Sequence, residues 1–299
     1  MDLRQFRYFV VLAEELHFTR AAQRLNIGQP PLSLQIQAIE RELGTELLKR
    51  NRRRVELTEA GRLFLTEARA ALAQAERAVE TARRAARGEI GTLRIGFTPS
   101  APFAPAFTRA VHAYRLALPD VHLSLSLSRS ASLTEALRIG GIDVGLIRPA
   151  ASSALPPEVA AMPVLRDRLM LALPAQHRLA RRKASVPIEV LAEEAFVLRP
   201  RGPGAAFYEQ VYELCGRAGF APQLAQEAHE APTILGLVAV GVGLSILPAC
   251  FRAIQIPDVV WRDIAVDAEA ISTLLLVYNR KAAATPQRSR FIELVQQFG

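Results

Sequence analysis

TRAAQRLNIGQPPLSLQIQAIERELG, residues 19–44, decides how this chain is read. Good helix formers stand on both sides, yet the segment breaks at Asn26-Ile27-Gly28 and restarts on Gln29 followed by two prolines. Thr19 stands where an N-cap is expected for a short helix that carries Ala21, Ala22 and Leu25 inward. The two alanines let another helix approach closely. Asn26 and Gly28 favour left-handed turn angles. Pro30 and Pro31 fit the first turn of a new helix, where a missing N–H costs little. That helix places Leu32, Ile36, Ile39 and Leu43 on one face and Gln29, Ser33, Gln35 and Gln37 on another. A core helix gains nothing from such an interruption, whereas a helix that presents its first turn to an outside surface requires it. Upstream, Leu3, Phe6, Phe9 or Val10, and Ala13 form one apolar stripe. The pattern is a helix-turn-helix, its second helix set to enter a DNA major groove.

Charge supports that reading. The chain has 299 residues, a formal net charge of +8 and a sequence pI near 10.1, which favours an anionic partner, nucleic acid or a membrane surface. Residues 1–90 contain 16 Lys+Arg and 12 Asp+Glu, a net of 16 − 12 = +4, so half of the excess lies in under a third of the chain. Within it, KRNRRRV (49–55) carries five basic side chains in seven residues. Alone such a run reads equally as a solvated loop. Followed by Val55-Glu56-Leu57, it reads as a two-stranded wing on the phosphate backbone. A three-helix packing module without DNA is the bland alternative.

From Thr58, a helix cap, a long helix runs to Gly88 or Gly91. Leu65, Ala68, Leu72, Ala75, Val79, Ala82 and Ala86 alternate three- and four-residue steps, a heptad seam whose alanines imply a close approach of two helices. Dimerisation is the expectation, and a helix packed on its own domain the alternative. After Gly91 the periodicity changes. Strands at 92–98, 121–128 and 142–148 alternate with helices within 102–119 and 133–140, a βαβαβ unit with parallel strands. A second set begins at 164–174 and continues through strand 196–200, helix 205–218, strand 223–227, helix 231–241 and strand 244–248. Strand 272–280 and helix 288–298 close the chain. The expectation is an α+β multidomain protein: a winged helix-turn-helix over 1–57, a linker helix over 58–90 and a bilobal α/β ligand-binding domain over 91–299. Lobe I spans about 91–163 and 268–299, with lobe II, about 164–267, inserted into it. A ligand would sit between the lobes at the strand C-termini.

TRAAQRLNIGQPPLSLQIQAIERELGTELLKR, with VELTEAG after it, resembles the N-terminal signature of LysR-type transcriptional regulators, and the resemblance covers the whole chain. It implies a periplasmic-binding-protein-like effector domain, a homodimer or homotetramer, double-stranded promoter DNA and RNA polymerase as partners, and no cofactor. Carried over onto this chain, DNA contacts are expected from Thr19, Arg20, Gln29, Pro30, Pro31, Ser33, Leu34, Gln35, Arg52, Arg53 and Arg54. Two positions depart from the pattern. Gly28 replaces a frequent capping serine, removing its side-chain cap, and Leu34 replaces a usual arginine. LRIGFTPS (93–100), RPRGPGAAFYEQV (199–211) and LGLVAVGVGLSILPA (235–249) resemble the subgroup that governs benzoate, catechol and chlorocatechol breakdown. That likeness implies a muconate-like or other anionic effector. Helix N-termini after strands offer free N–H groups to a carboxylate. The expected effector residues are Thr98, Ser100, Ser130, Arg148, Arg201, Gly202 and Phe207, each of which also has an ordinary structural reading.

Other classes fit poorly. No Gly-x-Gly-x-x-Gly opens the first βα unit, and no phosphate loop or Gly-x-Ser-x-Gly elbow occurs, so an enzyme is not expected. His17, His112, His122, His177 and His229 have no metal-ligand spacing. Cys215 and Cys250 read as buried thiols. A transport solute-binding protein would need export, yet Glu14 and Glu15 stand where a cleavage site belongs. No apolar run spans a bilayer. The expected location is the cytoplasm.

Overall fold

The computed structural model describes residues 1–51, 54–149, 154–200, 207–266 and 270–299, and the side chains of Arg50, Asn51 and Phe207 lie outside that description. The chain divides into Met1–Ala86 and Arg87–Gly299.

The first unit opens with α1 (Leu3–Glu15), α2 (Phe18–Arg24) and α3 (Gln29–Leu43). Asp2 caps α1 by accepting from the Gln5 backbone N–H at 2.8 Å, while the Asp2 N–H donates to Gln5 Oε1, a reciprocal capping box. Helix α2 begins two residues earlier than a Thr19 cap predicts. Its cap is therefore His17, whose Nδ1 accepts from the Arg20 N–H, and not Thr19. In the turn only Asn26 takes a left-handed angle (φ 53°). Gly28 is extended (φ −71°) and caps α3 with no side-chain bond, so the missing serine cap is a real vacancy in the hydrogen bonding. Phe9, Leu12, Ala21, Ala22, Leu32, Ile36 and Ile39 form the core. Leu43, expected inward, is 37% exposed. The helix ends there on left-handed Gly44, and Leu47 and Leu48 fill the core instead.

The wing is a hairpin of β1 (Leu48–Asn51) and β2 (Arg54–Leu57), paired antiparallel. Helix α4 (Glu59–Arg87) follows, with Thr58 Oγ1 accepting from the Gly61 N–H at 2.9 Å. Phe64 packs edge-on to Phe9, with ring centroids 5.0 Å apart. Of the expected seam, Leu65 packs against this unit's own core and Ala68 is buried, Leu72 and Ala75 are half-buried, and Val79 and Ala82 are exposed.

In the second unit β3 (Gly91–Phe97), α5 (Pro105–Ala117), β4 (Val121–Leu127), α6 (Ser130–Arg138) and β5 (Val144–Ile147) form the expected parallel βαβαβ, in sheet order β4-β3-β5. Then comes one 16-residue strand, β6 (Val159–Pro174), which runs straight through Val164, where the second lobe was expected to begin. It is followed by β7 (Val186–Pro187), β8 (Ala195–Leu198), α7 (Phe207–Arg217), β9 (Gln223–Glu227), α8 (Ala231–Ala239), β10 (Ser245–Pro248), β11 (Val259–Ala265), β12 (Ile271–Asn279) and α9 (Pro286–Phe298). Strand β6 serves two cores. Residues 159–168 pair antiparallel with β12, which pairs with β5, and residues 169–174 pair with β10 and β11. One hydrophobic cluster gathers around Leu93, Ile95, Tyr114, Leu274 and Phe291, the other around Leu171, Phe196, Val211, Ile234 and Ile246. The cavity described below is lined by residues that follow β3, β4 and β5 and, from the second cluster, by Tyr208, Ala231 and Phe251. Gly96 lies opposite Gly145 where α6 rests on the sheet, and a Cβ on Gly96 would meet Leu133 Cδ2 at 2.4 Å. Bare backbone there lets α6 sit close.

Gly61 is the tightest approach in the first unit, since a Cβ would lie 2.1 Å from the Leu47 carbonyl oxygen. Gly61→Ala forces α4 away from the wing and is expected to lose about 1–3 kcal/mol of stability, read as a lower urea midpoint. An unchanged midpoint would contradict the close packing.

Candidate nucleic-acid interface and ligand cavity

The outward stripe of α3 is not the row of polar residues the sequence pattern predicts. Gln29, Pro30, Pro31, Leu34 and Gln37 are exposed, Leu34 at 63%, whereas Ser33 and Gln35 are half-buried. The α-helical pitch turns Ser33 and Gln35 toward the flanks of the buried Leu32–Ile36 row. Two polar contacts hold the face: Gln5 Nε2 donates to Gln35 Oε1 at 3.0 Å, and Thr19 Oγ1 donates to Gln29 Oε1 at 3.3 Å. The second ties α2 to the first turn of α3. Arg20 is engaged by Glu15, whose backbone oxygen accepts from Arg20 Nη2 at 2.7 Å. On the wing, Lys49 and Arg54 are exposed, while Arg52 and Arg53 lie outside the described residues. Behind the face, Glu14 receives Arg24 and Arg69, both at 2.9 Å. The hydrogen bond from Arg69 holds the Glu14 carboxyl below the usual carboxylate range.

In the second unit a cavity of about 450 Å³ lies where β3 and β5 end and α6 and α8 begin. Thr98, Ser100, Ser130 and Arg148, all expected there, line it. Their hydrogen bonds give them different chemistry. Thr98 Oγ1 donates to the Leu146 carbonyl at 3.3 Å, so its one proton is spent on the scaffold. The Ser130 hydroxyl forms a reciprocal pair with the Arg148 backbone, donating to the carbonyl at 3.1 Å and accepting from the N–H at 3.2 Å. That pair fastens the first turn of α6 to the end of β5. Ser100 Oγ accepts from Arg148 Nε at 2.8 Å, which leaves its proton to be donated elsewhere.

Arg148 is 2% exposed, and the guanidinium that was expected to meet an effector acid meets Asp167 of β6 instead, at 3.0 Å. Its Nη1 also donates to the Ser272 carbonyl of β12 at 2.7 Å, and Asp167 accepts from the Cys250 N–H at 3.1 Å. Arg148 is therefore a structural cation that joins β5, β6 and β12 and orients Ser100. Burial pushes the neighbouring Cys250 thiol up to about 12, with Arg148 opposing and Asp167 adding.

Sequence reasoning missed Arg129, Arg199 and Tyr208 in the lining, as well as Asp167 behind it. Arg199 lies over the Tyr208 ring, 5.8 Å from its centroid. Burial pushes the Tyr208 hydroxyl well above the usual tyrosine range, so it stays protonated at neutral pH. Asp167 had one legible signal, a carboxylate between two arginines in an otherwise apolar strand. His229 and Glu230 line the cavity at the start of α8, and Glu230 is the N-cap. Arg201 and Gly202 lie outside the described residues, as does the side chain of Phe207, the first residue of α7. No group of His, Cys, Asp and Glu able to hold a metal occurs among the described residues.

A helix-turn-helix unit followed by a two-core unit with a polar cavity defines a ligand-responsive DNA-binding protein. Residues 3–62 match the bacterial regulatory helix-turn-helix family of lysR type, and residues 86–299 match the LysR substrate binding domain. The chain belongs to the LysR family of bacterial transcriptional regulators and is not an enzyme. It is 41% identical over 291 residues to the Escherichia coli (strain K12) regulator YnfL, covering 97% of this chain and 96% of that protein. It is 36% identical over 299 residues to a probable cat1 operon transcriptional activator of Acinetobacter lwoffii, covering 99% and 94%. Full-length CbnR complexed with its target DNA has a similar structure, with a TM-score of 0.82 at 30% identity over 99% of each chain.

Removing one partner of a buried ion pair strands the other at about 3–5 kcal/mol. Asp167→Ala is expected to lower the thermal midpoint of the protein by several degrees. A midpoint within a degree of the parent would show that Arg148 does not depend on Asp167.

Proposed function

We propose that this regulator binds double-stranded promoter DNA through α3 and the basic wing, and controls promoter activity in response to a small carboxylate held in the cavity. The observation that carries the effector half is the Ser100 hydroxyl. Its oxygen is engaged by a neutralised Arg148, so its proton is turned to the ligand. The first-turn N–H groups of α6, whose N-cap Arg129 makes no side-chain cap, supply further donors. Arg129 and Arg199 supply positive charge from the two sides of the cavity. An aromatic or muconate-like acid fits this chemistry, its carboxylate meeting these donors and cations.

The DNA half is supported by the exposed first turn of α3, by Lys49 and Arg54 on the wing, and by the CbnR–DNA complex, whose chain is similar along its whole length. Arg52 and Arg53 are assigned phosphate contacts that offset the missing arginine at position 34. The seam from Leu72 to Ala82, half-buried at Leu72 and Ala75 and exposed at Val79 and Ala82, pairs with the same helix of a second copy. Exposed Leu125 and Leu127 on edge strand β4, with Leu224 on β9, add surface for a dimer or tetramer. Among the described residues no helix is long and apolar enough to cross a membrane, and the proposed setting is the cytoplasm, with RNA polymerase as the downstream partner. The effector acts by binding one arrangement of the two cores more tightly than another, which moves the DNA-binding pairs and alters the DNA bend.

A thermal-shift series with benzoate, cis,cis-muconate and chlorinated muconates tests the effector. One acid is expected to give a saturable stabilisation, approaching ~2.7 kcal/mol at a hundredfold excess over Kd. Ser100→Ala is expected to abolish it and also to lower the unliganded midpoint by a few degrees, because the buried Arg148 Nε–H loses its acceptor. No shift with any of these acids would overturn the assignment of an aromatic-catabolite effector and leave family membership intact.

A further inference from the structure

We infer that Leu34, flanked by Pro30 and Pro31, makes α3 a reader of thymine 5-methyl groups, an inference that rests on the DNA-binding reading above and narrows it to one base chemistry. Leu34 is 63% exposed and belongs to no hydrophobic cluster of its unit, so the fold gains nothing from a large apolar side chain there. It lies on the outward stripe with Pro30 and Gln37, at helical steps of four and three. The neighbouring polar side chains are committed in one direction. Gln29 Oε1 accepts from Thr19, and Gln35 Oε1 accepts from Gln5, so each spends one acceptor lone pair within the unit and keeps its NH2 donors for a ligand. Donors match purine N7, guanine O6 and thymine O4 in the major groove. A leucine and two prolines offer only van der Waals contact, and the one apolar group that the major groove displays is the thymine methyl.

Charge complementarity commits this apolar stripe to DNA rather than to a protein surface. The stripe itself carries no charge from Gln29 to Gln37, while Arg41 at the end of α3, with Lys49 and Arg54 on the wing, is exposed beyond it. Cations at the margin suit phosphates, and a neutral centre suits base edges. With leucine at position 34, the centre of α3 reads methyl groups without adding a sequence-independent cation.

The test uses full-length protein and a duplex selected by that protein from a random-sequence library. Each thymine of the selected duplex is replaced singly by deoxyuridine, which removes only the methyl, and Kd is measured by fluorescence anisotropy at fixed salt. Wild-type protein is expected to lose roughly fourfold in affinity at one or two thymines of each half-site, the value of one buried methyl. Leu34→Ala is expected to bind the thymine duplex more weakly by a similar factor, to be indifferent to deoxyuridine at those positions, and to keep the wild-type salt slope, because no phosphate contact is lost. Wild-type indifference to every deoxyuridine would overturn the inference. So would methyl sensitivity that persists in full in Leu34→Ala, since another residue would then make the contact. Failure to select any duplex would overturn the DNA-binding reading itself, a result distinct from either.

Discussion

The buried pair of Arg148 and Asp167 is the contact on which the ligand-binding half of this molecule depends. Each group is held almost completely out of water, where a lone charge is costly. Their union lets β5, β6 and β12 meet around a cation without an uncompensated charge. It also sets the chemistry of the cavity wall. With its positive charge neutralised and its Nε directed at Ser100, Arg148 becomes a fixed donor that orients a hydroxyl. The same residue's backbone holds Ser130, and with it the first turn of α6. One residue, through its side chain and its backbone, thus ties the sheet to both Ser100 and the first turn of α6.

The strand that carries Asp167 links the two cores of that unit. One stretch of β6 belongs to the sheet around β12 and the next belongs to the sheet around β10 and β11. Asp167 lies two residues before Leu169, where the pairing changes. A ligand that adjusts the Ser100–Arg148–Asp167 chain therefore acts at the point where the two cores share backbone, which is where a small displacement has the greatest leverage on their relative placement.

Much of this was legible in the sequence, for physical reasons that differ by region. The interruption at Asn26–Gly28 and the two prolines announced the helix-turn-helix because turn chemistry is local. The alternating pattern of 121–128 announced β4 for the same reason. The orientation of α3 was less legible. Ser33 and Gln35 are polar and were expected outward, but which flank of a helix faces out is set by packing against α1, through Gln5 among others, and not by polarity alone. Ser100 and Ser130 were found by their position after strands. Their unequal roles were not, because those depend on a guanidinium that arrives from β5 and an acid that arrives from β6, contacts 48 and 19 residues apart in sequence. Strand β11 was missed, since its partly buried residues give no clean alternation. The alanine-rich seam is a periodic stripe in the sequence, yet Leu65 and Ala68 are taken up within their own unit, a choice that periodicity does not encode.

The central claim is that Arg148 is structural and that Ser100 is the group it aims at the ligand. A crystal structure of the full chain grown with whichever of benzoate and the muconates stabilises it tests it most directly. The account predicts carboxylate density within hydrogen-bonding distance of Ser100 Oγ, with Arg148 still joined to Asp167. A carboxylate bound directly by the Arg148 guanidinium, with Asp167 displaced, would contradict it.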